Sequence, residues 1–93
     1  MITIVAILKA RAGNEQQLRD ELLKVAVPSR AEGGCIDYIL HNSPEHREQY
    51  VLYETWKDED ALQAHLASSH YQEYRRSAEA WLASREVYRL NRI

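Results

Sequence analysis

Hydrophobic positions along the 93-residue chain change period several times, and each change marks an element. From Ile2 to Arg11, apolar side chains occupy both alternating sets, with Ile2, Ile4, Ala6 and Leu8 on one and Val5 and Ile7 on the other. Period-two alternation predicts a strand, and apolar character on both sets predicts that both faces are covered. Ala12-Gly13-Asn14 breaks the pattern and places Asn14 to cap a helix, with Gln17 as its reciprocal partner. Leu18, Leu22 and Val25 then recur at helical spacing, leaving Glu15, Arg19 and Asp20 for solvent. Pro28 predicts an end or kink near Val27, with a remnant reaching Glu32 before Gly33-Gly34.

Cys35 to Asn42 reads as a second strand with Ile36, Tyr38 and Leu40 on one face. The polar turn Asn42 to Arg47 leads into a third strand, Glu48 to Trp56, so the pair is expected as a hairpin. Tyr50, Leu52, Glu54 and Trp56 share a face of that strand. Asp58 is placed to cap a helix carrying Ala61, Leu62, His65 and Leu66. Ser69, with Gln72 three residues on, is placed to cap another, whose apolar stripe is Tyr71, Tyr74, Ala78, Trp81 and Leu82. Glu86 to Ile93 closes the chain as a fourth strand. The order strand, helix, strand, strand, helix or helices, strand predicts one α+β domain spanning 1–93. Its fold would be a ferredoxin-like split βαβ sandwich, an antiparallel sheet with helices on one face. The opposite face, with Val5, Ile7, Ile39, Val51 and Tyr53 or their alternates, would be an apolar patch of interface size. A homodimer through the sheet face is therefore expected, the more so because so short a chain buries a modest fraction of its surface.

Charge adds exclusions. Lys+Arg number 12 against Asp+Glu 14, net −2, with no long basic run. Neither nucleic acid nor an anionic membrane is an expected partner. Cys35 is the only cysteine, which rules out an intramolecular disulfide and a cysteine metal cluster. The opening residues lack the pattern of a signal peptide, and no stretch approaches the roughly 20 apolar residues of a membrane span. A soluble, cytoplasmic protein is expected. Phe is absent while Tyr numbers 6 and Trp 2, so every aromatic ring carries a polar handle that wants a partner when buried.

The candidate chemistry concentrates between Tyr53 and Tyr71. Glu54 sits mid-strand beside Leu52, where a helix cover would desolvate its carboxylate; the alternative is a strand-end Glu that faces solvent or pairs with an Arg. His65, flanked by Leu62 and Leu66, is suited either to a structural role in the packing or, on a helix that covers that face, to act as a base or hydrogen bond to a phenol or enol. A carboxylate next to it would fix its tautomer. His70 follows five residues later, about 140° around an ideal helix. No third ligand is evident nearby, so no metal site is expected. Tyr38 and Trp56 are suited either to a plain core or to the wall of a pocket for a flat apolar ligand. His41 and His46 fall near a polar turn, and Cys35 reads as a small buried hydrophobe. No phosphate loop, nucleophile elbow or dinucleotide fingerprint is present.

Gly34-Cys35 followed by Tyr38, then Glu54-Thr55-Trp56 with Ala61-Leu62 and His65, then Ser69-His70-Tyr71, resembles the antibiotic biosynthesis monooxygenase family over nearly the whole chain. The resemblance implies a dimeric ferredoxin-like α+β barrel with a pocket between sheet and helices. It also implies monooxygenation of a quinol or related dihydroxy-aromatic by O₂ without flavin, haem or metal. On that basis His65 and Glu54 are the expected catalytic base and its orienter, and Tyr38, Trp56, His70 and Tyr71 the expected substrate-binding residues. Haem-degrading relatives use a strand Asn, a helix Trp and a helix His, where this chain has Ala6, His65 and Arg75. The run Tyr53 to Tyr71 also resembles a branch that isomerises a phosphorylated autoinducer, for which Arg75 or Arg11 would meet the phosphate. A non-catalytic dimeric binding module is the remaining alternative.

Overall fold

The computed structural model describes residues 1–93. Strand β1 (Ile2–Ala10) leads to helix α1 (Glu15–Arg30), then to the hairpin of β2 (Cys35–Asn42) and β3 (Gln49–Trp56). Helices α2 (Glu59–Ala67) and α3 (Ser69–Ala78) follow, and a single 3₁₀ turn at Glu79–Trp81 precedes β4 (Leu82–Leu90). The sheet order is β2-β3-β1-β4 with every neighbouring pair antiparallel. β3 thus lies between β1 and β2, which is the split βαβ arrangement. All three helices lie on one face, giving two layers with extents of 37 × 31 × 17 Å.

The core lies between the layers. Ile4, Ala6, Leu8 and Ala10 of β1 and Tyr50, Leu52, Glu54 and Trp56 of β3 are buried, in the expected alternation. Leu18, Leu22, Val25 and Ala26 of α1 pack down on them, and Leu62, Tyr74 and Ala78 complete the layer from α2 and α3. The outer face of the sheet keeps Ile39, Tyr53, Tyr88 and Leu90 exposed.

Several local expectations are corrected. Asn14 precedes α1 but makes no side-chain cap. Instead the Glu15 carboxylate accepts the Gly13 N–H at 2.7 Å, and Gly13 adopts a φ of +90°, a left-handed conformation that a Cβ would strain. Helix α1 passes Pro28 and ends at Arg30, because a proline so near the end removes only one late bond. Ser29, fully buried, donates its Oγ–H to the Val25 carbonyl at 2.7 Å within the same turn. Ile36 points outward rather than with Tyr38, since pairing jumps from Cys35↔Trp56 to Asp37↔Thr55 and leaves Ile36 as the extra residue of a bulge. Ser68, not Ser69, caps α3, its Oγ accepting the Tyr71 N–H at 3.3 Å. β4 begins four residues earlier than expected. The 3₁₀ turn shortens the approach, and Arg11 clamps the start of the strand with N–H to Trp81 O at 2.8 Å and Nε–H to Leu82 O at 3.0 Å.

Two loops that bring the site together are tied to each other. Lys57 N–H donates to Gly34 O at 2.8 Å, joining the α1–β2 turn to the β3–α2 turn. A Cβ at Gly34 would come within 2.3 Å of the Ala61 Cβ, so only glycine allows α2 to approach this closely.

Candidate active site

Alternation on β3 sends Glu54 and Trp56 to the helical side, two residues apart on one face. There the Trp56 Nε1–H donates to Glu54 Oε1 at 2.9 Å. Burial pushes the Glu54 carboxyl up to about 7, against the opposing effects of that hydrogen bond and of the Arg85 charge. Below pH ~7 the folded chain therefore retains a proton that an unfolded Glu releases near 4.5. This contribution to stability is complete at acid pH and is lost as pH rises through the folded value. Raising pH from about 5 to about 8 should lower the melting temperature of the native protein more than that of Glu54→Gln. Parallel melting curves for the two proteins would contradict the burial of an ionisable Glu54.

His65 descends from α2 onto the same face, 1% exposed. Its ring lies against Trp56 with centroids 4.4 Å apart and planes 31° apart. Tyr71 at 4.9 Å and Tyr38 at 5.7 Å enclose it further. Its orienting carboxylate is not Glu54. His65 Nδ1 lies 2.7 Å from Glu32 Oε2, and His70 Nε2 lies 2.9 Å from the same oxygen. Glu32 stands in the turn between α1 and β2, 33 residues before His65, and the Gly34–Lys57 bond holds that turn against α2. Nothing in the local pattern around Glu32 marks it, because its role arises only when the two loops meet.

Burial lowers the His65 pKa, opposed by the hydrogen bond and charge of Glu32. The neutral ring with Nδ1–H donating to Glu32 leaves the lone pair on Nε2. That Nε2 is buried and has no protein partner. The expectation that His65 and His70 lack a third donor is also corrected. A nitrogen of each ring and the Glu32 carboxylate lie within 4.8 Å of one another, so a third group of metal-ligand type does stand beside the two imidazoles, here engaged with them in hydrogen bonds.

A cavity of about 300 Å³ opens between sheet and helices, at the lower end of ligand-pocket sizes. Ile4, Ala6, Leu8, Leu52, Leu62, Leu66 and Val87 make it predominantly apolar, and Tyr38, Glu54, His65, Tyr71, Tyr74 and Arg85 supply its polar groups. Four residues anticipated from the sequence, Tyr38 and Glu54 from the sheet and His65 and Tyr71 from the helices, thus line one cavity. Two stand apart from it: Trp56 is fully buried behind His65, and His70 faces a separate groove with Glu21, Lys24 and Glu73. Tyr74, Arg85 and Val87 are additional lining residues. Arg85 and Val87 enter because β4 pairs Ala6 with Val87 and Leu8 with Arg85, a register invisible before the early start of β4 is known. Burial raises the Tyr38 phenol beyond the ordinary range and Tyr74 to about 12, so both remain protonated donors near neutrality.

Known proteins share this fold. Residues 1–77 match the model of the family described as antibiotic biosynthesis monooxygenase. "Putative monooxygenase YcnE" of Bacillus subtilis is 31% identical over 77% of this chain and 76% of its own length. "Putative monooxygenase Rv0793" of Mycobacterium tuberculosis is 35% identical over 80% of this chain and 72% of its own. The structure of Rv0793 superposes with a TM-score of 0.93, covering 99% of this chain and 94% of that one. PA3566 from Pseudomonas aeruginosa superposes at 0.95 with 33% identity, covering 99% and 93%. No helix here is long and apolar enough to cross a membrane. With the split βαβ sheet, a mainly apolar cavity beneath its helices and relatives of this similarity, the chain belongs to the antibiotic biosynthesis monooxygenase family.

Proposed function

We propose that the protein is a monooxygenase that oxidises a flat dihydroxy-aromatic, such as a quinol, with O₂ and no cofactor. The observation that carries this reading is the unpartnered, buried Nε2 of a neutral His65 in the wall of a mainly apolar cavity. A base held this way removes a hydroxyl proton from the bound aromatic, and Glu32 steadies the imidazolium that forms. The phenolate is electron-rich and supplies the electrons itself. One atom of O₂ enters the ring, the other leaves as water, and the quinol becomes a hydroxyquinone. Glu54, close to half-protonated near neutrality, is suited to exchange a proton with the second hydroxyl. The apolar walls favour displacement of water by the bound ring, water that would level the base and quench reduced oxygen.

The test is oxygen consumption with a panel of dihydroxynaphthalenes and benzoquinols, with ¹⁸O₂ label followed into product. Stoichiometric uptake with one labelled atom in the hydroxyquinone is expected. Uptake no faster than in buffer would sink the reading. The same base would serve an isomerase of a small, phosphorylated carbonyl compound, which would rearrange carbon without consuming oxygen. Ligand binding with neither outcome would leave a binding module.

We also infer a homodimer through the outer face of the sheet. Ile39, Tyr53, Tyr88 and Leu90 are each more than a third exposed there, with Val5, Ile7 and Val51 between them. Light scattering should give twice the 10.9 kDa chain mass, and a monomer mass in dilute solution would overturn the inference.

A further inference from the structure

At one end of the cavity two guanidinium groups converge on a single phenol. Arg85 Nη2–H donates to the Tyr71 hydroxyl oxygen at 3.2 Å, and Arg75 Nη1–H donates to it at 3.3 Å. Arg85 reaches it from β4, across an exposed contact, and Arg75 from the following turn of α3. Arg85 and Tyr71 line the cavity. Neither arginine belongs to any ion pair of the fold. Arg75 Nε is buried and has no hydrogen-bond partner. Two like charges directed at one neutral oxygen repel each other, and a carboxylate or phosphate placed between them would relieve that repulsion. Glu54 is the acidic side chain that lines the cavity with Arg85; it feels the Arg85 charge but its hydrogen bond is with Trp56.

We propose that Arg85, with Tyr71 and Arg75 behind it, is an anion-binding subsite at the end of the cavity, so that the aromatic ligand carries a carboxylate or phosphate substituent. The proposal rests on the reading of this cavity as a site for a flat aromatic ligand. Arg85 makes the direct contact as a forked donor to two oxygens of the anion. Tyr71 donates its hydroxyl proton to the same group, and Arg75 is the positioning residue that holds the Tyr71 oxygen in place. The anion sets the direction in which the ring enters and so decides which hydroxyl faces His65.

The experiment compares three unreactive probes by calorimetry: naphthamide, naphthoate and naphthyl phosphate. None has a ring hydroxyl to oxidise, so binding is read apart from any oxygenation. One or both anions should bind about tenfold more tightly than the neutral amide, with the margin shrinking as salt is raised. Arg85→Gln should abolish the margin, Arg85→Lys should keep part of it, and Arg75→Gln should reduce it. The tighter of the two anions identifies the substituent as carboxylate or phosphate. Equal binding of amide and anions, or a margin that survives Arg85→Gln, overturns the subsite while leaving the aromatic cavity standing. Failure of all three probes to bind removes both.

Discussion

Replacing His65 by alanine is expected to slow oxygenation of the best quinol by about 10²- to 10⁴-fold, the range that a positioned general base contributes. The loss should fall on kcat more than on KM, because apolar walls provided by Ile4, Leu8, Leu52 and Leu62 still hold the ring. The pH profile discriminates a base from a merely packed histidine. Burial lowers the His65 pKa from its ordinary 6.5, so the proposed activity of the native protein should persist into mildly acid solution and be lost as the ring finally protonates. Glu32 acts in the opposite sense, its hydrogen bond and charge favouring the protonated ring. Glu32→Gln should therefore move the acid limb to still lower pH, while weakening the hold on the tautomer and lowering the maximal rate. A His65→Ala enzyme with an unchanged rate, or an acid limb unmoved by Glu32→Gln, would remove His65 from the chemistry.

Trp56→Ala carries the largest expected cost in stability, about 3–5 kcal/mol for a buried indole. The side chain is fully buried, it stacks on His65, and it donates to a carboxylate that is itself buried. Set against the roughly 5–15 kcal/mol that holds a domain folded, that loss threatens the native state outright. Trp56→Phe separates the contributions. It keeps most of the ring but removes the Nε1–H, leaving Glu54 without its buried partner, at about 1–3 kcal/mol. With that donor gone, burial should push the Glu54 pKa higher still. Urea unfolding of the two variants at mildly acid and mildly alkaline pH measures both effects. A cost below about 1 kcal/mol for Trp56→Ala would mean that the indole is not the keystone between sheet and α2.

Local pattern was enough for the frame. Alternation on β1 and β3, helical spacing in α1 and turn residues at Gly13 and Gly33-Gly34 specify the split βαβ order, because amphipathic elements of this length have few ways to cover each other's apolar faces. Errors at the ends had local causes that side-chain type alone does not reveal. Ser68 and Ser69 are equally good caps, and only the backbone geometry selects Ser68. The bulge at Ile36 inverts one side chain without altering the alternation written in the chain. Arg11 bonds the carbonyls of Trp81 and Leu82 where β4 begins, and the pairing of β4 with β1 turns Arg85 and Val87 to the cavity.

By itself the sequence determined the fold class and assembled Glu54, Trp56 and His65 on facing elements, since period and spacing are properties of neighbours along the chain. Tertiary structure decided the connections among them. Glu54 turned to Trp56, whereas His65 found Glu32 across a separation of 33 residues, and His70 bonded the same oxygen from outside the cavity. A hydrogen bond needs two groups within about 3 Å, and for residues so distant in sequence only the packing of loops and helices sets that distance.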